Sequence, residues 1–499
     1  MSAEQNKKPN KKTTLKNQVD PRKMFIGIAL VVLATTLLTR VLPDNPDQLG
    51  VIKLVPALFL IVYIFWTKRI LEALVLASVM GFVFVHKGAW FGAFNESLLN
   101  VMMSEDIAWL FIVCGLMGSI IVLIEQAGGA FAFGEWVSSK AKTQKSTLLW
   151  TWVLGVAIFI DDYLNSLTVG SSMAPVTDRY KVSREYLSYI VDSTAAPACV
   201  IVPITTWAVF ASRLLEINGW APEGEGMVYF IKTIPFNFYA WAALIIVPLV
   251  IIGVIPIFGP MKEAERRAKE EGILAPPGSE KIDMRAGQSI EMPDNPKIMN
   301  FFLPILFLLA STIYFDIDMQ MGVITTVGFM FFLYVPQNLM TAEEFADNSV
   351  QGIKNMILPL LLMVLAFTFA DANDQIGFTQ YIITGASTVM TPALMPVIIF
   401  FVLAITEFIT GTNWGMYIIA LPIVIPLTMQ VGANPALTVG AVLSAGVFGS
   451  HICFYSDATI LTSTACGCDN FRHAITQMPF GFLAAAISAV LFLAAGFIF

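Results

Sequence analysis

Apolar runs of roughly bilayer-spanning length follow one another along nearly the whole chain, at 24–42, 51–66, 70–85, 106–124, 146–176, 187–211, 233–257, 298–315, 319–336, 356–372, 392–428, 435–462 and 474–499. A helix needs about 20 apolar residues to cross the hydrocarbon core, and only helices or closed barrels can cross it, because every backbone N–H and C=O must be satisfied without water. Polar surface is correspondingly scarce. Of 499 residues, 57% are hydrophobic and only 13% are charged, whereas a soluble chain carries about a quarter. The expected fold is an all-α polytopic protein embedded in the lipid bilayer, with about 11–13 membrane segments. The net charge of −7 argues against a nucleic-acid partner, which needs a basic face. Five cysteines are too few for a disulfide framework and have no metal-ligand spacing.

Two runs, 146–176 and 392–428, are too long for one crossing and are interrupted by polar residues and glycine. Read as hairpins that enter and leave on one side, they place 24 of the 29 Lys and Arg residues on a single side, which the positive-inside rule makes cytoplasmic. The expected organisation is a basic cytoplasmic tail (1–23), an extra leading transmembrane helix (24–42), a first repeat (51–257), a cytoplasmic linker (258–297) and a second repeat (298–499). The leading helix lacks a small-residue cleavage site and reads as retained.

The two halves share motifs at a steady lag. FNESLLNVMM from Phe94 resembles FADNSVQGIKNM from Phe345, 251 residues on, and FIDDYLNSLTVG from Phe159 falls opposite FITGTNWGMYII from Phe408, 249 residues on. Asp192 and Asp457 read as the next matched pair, at a lag of 265. The basic-residue count gives the halves opposite topology. Inverted repeats with discontinuous helices are the pattern of secondary transporters, whose sites form where paired interruptions meet.

Asp161, Asp162, Asp192, Glu407 and Asp457 lie inside apolar runs with no Lys or Arg beside them. A carboxylate at this depth costs several kcal/mol unless it is neutralised, so these acids indicate function. Acids without basic partners call for a cation or a proton. Asn165, Ser166, Ser193, Thr194, Thr410, Thr412, Asn413, Ser456 and Thr459 add the amide and hydroxyl oxygens that hard cations prefer. Burial and like-charge neighbours favour a protonated carboxyl group, so such a site would take Na⁺ or H⁺ in competition, and alternate binding is antiport. Some of the acids could instead cap half-helix N-termini. His451 is a candidate proton relay. Thr168-Val169-Gly170 has the look of a potassium-filter segment, but Ser171 and Ser172 follow it. No cofactor is expected, and the only metal foreseen is transported Na⁺. Membrane-embedded catalysis is disfavoured, since the chain has no GxGD block, no HExxH and no GxxxxGK.

Three blocks, FIDDYLNSLTVGSSMAPVTDRYKVSREYLSYIVDSTAAPACVIVPITTW (159–207), TGTNWGMYIIALPIVIPL (410–427) and FGSHICFYSDATILTST (448–464), resemble signatures of the NhaC-type Na⁺/H⁺ antiporter family. The resemblance runs from about residue 50 to the end. It implies a bacterial inner-membrane carrier of the broad ion-transporter superfamily. It also implies a homodimer in which a scaffold domain supports a moving transport domain with two hairpins. Asp161, Asp162 and Asn165 match the family's acidic-Asn block, Asp192, Ser193 and Thr194 its Asp-Ser-Thr block, and Ser456, Asp457 and Thr459 its late Ser-Asp block. The late block departs from the pattern: Ser450 stands where relatives carry Asp, and Phe454 and Tyr455 replace a Ser-Pro region. The family includes carriers resembling malate/lactate exchangers. A Na⁺- or H⁺-coupled carrier of an amino acid or small organic acid is therefore the alternative, with Phe454, Tyr455, Trp207 and Trp414 as candidate solute contacts.

Overall fold

A computed structural model describes residues 43, 46–67, 69–140, 142–279, 297–315, 318–378, 381, 390–410, 413–453 and 456–499. The basic tail, the leading helix and residues 280–296 of the linker lie outside the described residues. Among the described residues every regular element is helical, as the apolar runs dictate.

The first half contains α1 (Val55–Thr67), α2 (Ile70–His86), α3 (Trp90–Met102), α4 (Glu105–Gln126), α5 (Gly129–Lys140), α6 (Gln144–Ala157), α7 (Asp162–Arg179), α8 (Arg184–Thr194), α9 (Thr206–Ile217), α10 (Gly226–Thr233) and α11 (Phe238–Ile252). The linker helix α12 (Gly259–Arg266) follows. The second half contains α13 (Met299–Tyr314), α14 (Met319–Tyr334), α15 (Ala342–Asn355), α16 (Ile357–Ile376), α17 (Met395–Thr410), α18 (Asn413–Val431), α19 (Pro435–Ile452), α20 (Asp457–Cys466) and α21 (Asn470–Ile498).

The element order recurs with a fixed lag. Helices α6, α7, α8 and α9 begin at 144, 162, 184 and 206, and α17, α18, α19 and α20 begin at 395, 413, 435 and 457, 251 residues later in each case. Packing is reciprocal: α4 lies against α14 and α15, while α16 lies against α2 and α3. One expected pairing fails. Asp457 opens α20 as Thr206 opens α9, whereas Asp192 lies near the end of α8, so Asp192 and Asp457 are not equivalent positions. The 265-residue lag compared two acids that sit on opposite sides of a break.

The first long run is broken as expected: helix α6 ends at Ala157 and α7 begins at Asp162, and the two pack against each other across the break. In the second run α17 ends at Thr410, α18 begins at Asn413 and the two are in contact; the interruption expected between them, at 411–412, lies outside the described residues. By length and composition, five helical stretches among the described residues can cross a bilayer: Leu71–Met102, Ile107–Gln126, Ala342–Ile376, Pro435–Ile452 and Asn470–Ile498. The pair Gly226–Phe236 and Phe238–Ile252, bent by 52°, makes a sixth if it is one span. Other apolar helices among the described residues have only 10–17 residues. Several apolar runs thus hold, among the described residues, helices shorter than the ~20 residues of a straight crossing.

Small residues let the halves meet backbone to backbone, the usual way helices associate in lipid. At the α4–α15 crossing, a Cβ on Gly352 would lie 2.4 Å from the carbonyl carbon and oxygen of Gly118. Ser119 Oγ donates to the Ser349 carbonyl at 2.7 Å beside it. At the other end of the molecule the linker straps the halves together. Arg267 grips buried Glu185 at 2.8 and 2.9 Å, the Ser183 N–H donates to Glu265 at 2.8 Å, and the Asp469 N–H donates to Ser279 Oγ at 2.9 Å. These bonds fix the start of α8 next to the loop between α20 and α21.

Gly352→Ala should therefore lower the thermal unfolding temperature of the purified protein, by an amount equivalent to about 1–3 kcal/mol of overpacking. Gly328→Ala, where an added Cβ meets nothing within 4 Å, should leave it unchanged.

Candidate functional site

Three breaks among the described residues meet in the interior, between α6 and α7, α8 and α9, and α19 and α20. Each exposes backbone groups that a continuous helix would have satisfied, and polar side chains repair them. Asp161 is the N-cap of α7, accepting the N–H groups of Tyr163 at 3.0 Å and Leu164 at 3.1 Å. Thr206 donates to its other oxygen at 3.2 Å. The capping role weighed for the acids therefore falls to Asp161, with Asp162 the first residue inside the helix. Asn165 places its amide nitrogen 2.6, 2.9 and 3.1 Å from the carbonyl oxygens of Gly155, Ile158 and Thr194. One amide thus ties the broken end of α6 to the end of α8. Thr205 and Ser456 cap α9 and α20, accepting the N–H groups of Ala208 at 3.0 Å and Thr459 at 3.2 Å.

The expected acidic cluster divides into two groups. Asp161 and Asp162 face the first turn of α9, where Trp207 Nε1 donates to Asp162 at 3.2 Å. Trp207 packs edge-on against Tyr417 of α18, with ring centroids 5.9 Å apart. Its described role is to hold an acid, where the sequence suggested solute contact. Asp192 instead faces the second half. Its Oδ2 accepts from Gln477 Nε2 at 2.7 Å and from His473 Nε2 at 3.0 Å, with Thr459 Oγ1 at 3.5 Å. Its Oδ1 is buried and has no hydrogen-bond partner among the described residues. The two groups are bridged by Asn165, which reaches Thr194, and by Ser166, whose hydroxyl lies 2.7 Å from that of Thr462 on α20.

Ser193, beside Asp192, leads away from it. Its hydroxyl lies 2.9 Å from His451 Nε2, and His451 Nδ1 lies 2.8 Å from the Tyr239 hydroxyl. The proposed relay histidine thus sits in a continuous hydrogen-bonded chain from α8 through α19 to α11. Thr194 turns its hydroxyl to the carbonyls of Ile190 and Val191, both at 3.0 Å. Glu407 is fully buried on α17 against Gly449 of α19, where a Cβ would come within 2.8 Å of the Glu407 backbone. The side chains of Thr410, Asn413, Trp414 and Asp457 are outside the described ones, and Thr412, Phe454 and Tyr455 are outside the described residues. Thr168, Val169 and Gly170 are in the body of α7, with Gly170 against Ala465 and Cys466, so they form no carbonyl ring.

Sequence reading missed Gln477 and His473 as partners of Asp192. Both lie on α21 four residues apart, hence on one helix face, and both are fully buried. That spacing was the available signal.

Buried acids on broken helices in an all-α membrane-spanning bundle define a secondary transporter. The Na⁺/H⁺ antiporter family matches residues 223–497, and the chain belongs to that family. The block at 159–207 lies outside the matched range. The chain is 28% identical over 490 residues to an uncharacterized protein of Haemophilus influenzae, covering 89% of this chain and 90% of that one. It is also similar to the malate-2H⁺/Na⁺-lactate antiporter of Bacillus subtilis, 23% identical over 202 residues, 40% of this chain and 42% of that one. The YdaH transporter of Alcanivorax borkumensis shares the fold, with a TM-score of 0.55 at 10% identity, covering 82% of this chain and 89% of that one.

If Asp161 acts as a cap, Asp161→Ala should cost about 1 kcal/mol of stability while Asp161→Asn, an equally good cap, should not. Thermal melting of the two variants beside the parent protein measures this.

Proposed function

We propose that the protein exchanges Na⁺ for H⁺ across a bacterial inner membrane, with Asp192 as the group that holds one or the other. The supporting observation is the Asp192 carboxylate itself. It is buried, one oxygen is held by donors from α21, and the other has no partner among the described residues. A buried carboxylate oxygen left bare is costly, and either a proton or a hard cation relieves that cost. Because both bind the same atom, each excludes the other. Asp161, Asp162, Asn165, Ser193, Thr194, Glu407, Asn413, Ser456 and Asp457 are proposed to complete the polar pathway, and Ser193, His451 and Tyr239 to carry the proton. Inverted topology of the halves, a cytoplasmic N-terminus and a homodimeric assembly belong to the same proposal, supported by the distribution of Lys and Arg and by the family.

A second reading, coupled transport of a small organic solute, is favoured by one feature. A cavity of about 620 Å³ lies between α1, α16 and α18, lined by Ala57, Phe367, Asn373, Phe378, Ile419 and Pro422 among others. Its size and apolar character suit a small molecule.

Proteoliposomes with an imposed pH gradient separate these readings. Added Na⁺ should dissipate the gradient, Asp192→Asn should abolish that response, and organic acids or amino acids should leave it unchanged. Absence of Na⁺-dependent proton flux at every pH would overturn the exchange, and solute-stimulated flux would favour the second reading.

A further inference from the structure

We propose that Gln477 is a cation ligand and sets which monovalent ion the Asp192 site accepts, an inference that rests on the exchange reading above. The orientation of its amide is fixed by chemistry. Its Nε2 faces two acceptors, Asp192 Oδ2 at 2.7 Å and the carbonyl oxygen of His451. The reverse orientation would set Oε1 against two other oxygens with no hydrogen between them. Both N–H bonds are therefore used, and Oε1 points elsewhere.

That oxygen is buried and has no hydrogen-bond partner among the described residues, as is Asp192 Oδ1. Each of these atoms is two covalent bonds from one end of the same 2.7 Å hydrogen bond, so the two bare oxygens belong to directly hydrogen-bonded partners. One carries the carboxylate charge and the other is a neutral amide oxygen, a combination that suits a small hard cation. Asn165 Oδ1 is a third buried oxygen without a described partner, on the residue that binds the Thr194 carbonyl at 3.1 Å.

The carrier of this geometry is rigid. The His451 carbonyl is at the end of α19, and Gln477 is held to it and to α8 at once. Gly481, one turn further along α21, permits the approach: a Cβ there would lie 2.2 Å from Ile452 Cγ2. A ligand fixed between two helices cannot adjust its reach, so the distance between the oxygens selects ion size. His473 Nε2 and Thr459 Oγ1 occupy the Oδ2 side, which leaves Oδ1 and Oε1 as the oxygens available to an ion.

The test is ion selectivity, because a merely structural role would weaken all ions alike. Half-saturation concentrations for Na⁺ and Li⁺ are measured on the full-length protein in proteoliposomes, and binding is measured independently as ion-induced protection against thermal unfolding in detergent. Gln477→Glu, which keeps an oxygen at that reach, and Gln477→Asn, which withdraws it, should shift the Na⁺:Li⁺ ratio by about threefold or more, in different amounts. A ratio unchanged within twofold in whichever variants fold, with the parent protein showing Na⁺-dependent proton flux, overturns the role of Gln477 and leaves the exchange reading standing. No Na⁺ protection and no Na⁺-dependent flux in the parent protein overturns both.

Discussion

The structure depends on one constraint: in a water-free interior, every polar group freed by a broken helix must find its partner within the protein. Three breaks among the described residues are tolerated because they meet one another. The amide of Asn165 serves carbonyls on α6, on the break itself and on α8. Asp161 caps α7 and takes the hydroxyl of Thr206 at the start of α9. Thr459 and Ser456 both reach the Ser450 carbonyl in the break between α19 and α20, at 2.9 and 2.7 Å. A bundle of continuous helices would need none of these bonds, and it would have nowhere to keep a buried carboxylate.

Around Asp192 the pairing stops short. Its Oδ2 is held by donors from α21, while Oδ1, Gln477 Oε1 and Asn165 Oδ1 are buried without described partners. Native proteins pair nearly all buried polar atoms, and bare oxygens on both partners of the Asp192–Gln477 hydrogen bond support the proposed ion site. The helices that carry the site are also those that the linker ties together. Arg267 holds the start of α8, and Ser279 holds the start of α21 through Asp469. Motion of α8 relative to α21 would therefore strain bonds outside the apolar interior.

Much of this was legible in the residues, for identifiable reasons. A charge inside an apolar run is conspicuous because burying it is expensive, so Asp161, Asp162, Asp192 and Glu407 stood out, and all four are buried. The break at 158–161 ends on a polar position, Asp161. What escaped was long-range pairing. Asp192 read as an acid without basic partners, yet His473 meets it from 281 residues away, on a helix whose apolar composition hides single polar residues. Asp161 and Asp162 find described partners on α9, and Asp192 finds its own on α21. Asp192 and Asp457 read as a repeated pair because both are acids, while the helix starts show that Thr206 and Asp457 correspond. Residue type misled where position along the helix was the better guide.

The central claim is that one carboxylate takes up either Na⁺ or a proton. It is tested most directly by counting protons released when Na⁺ is added to the purified protein in weakly buffered detergent solution. Competition at Asp192 predicts about one proton released per Na⁺ bound, with both binding and release lost in Asp192→Asn. Saturable Na⁺ binding without proton release, or with release that survives Asp192→Asn, would contradict it.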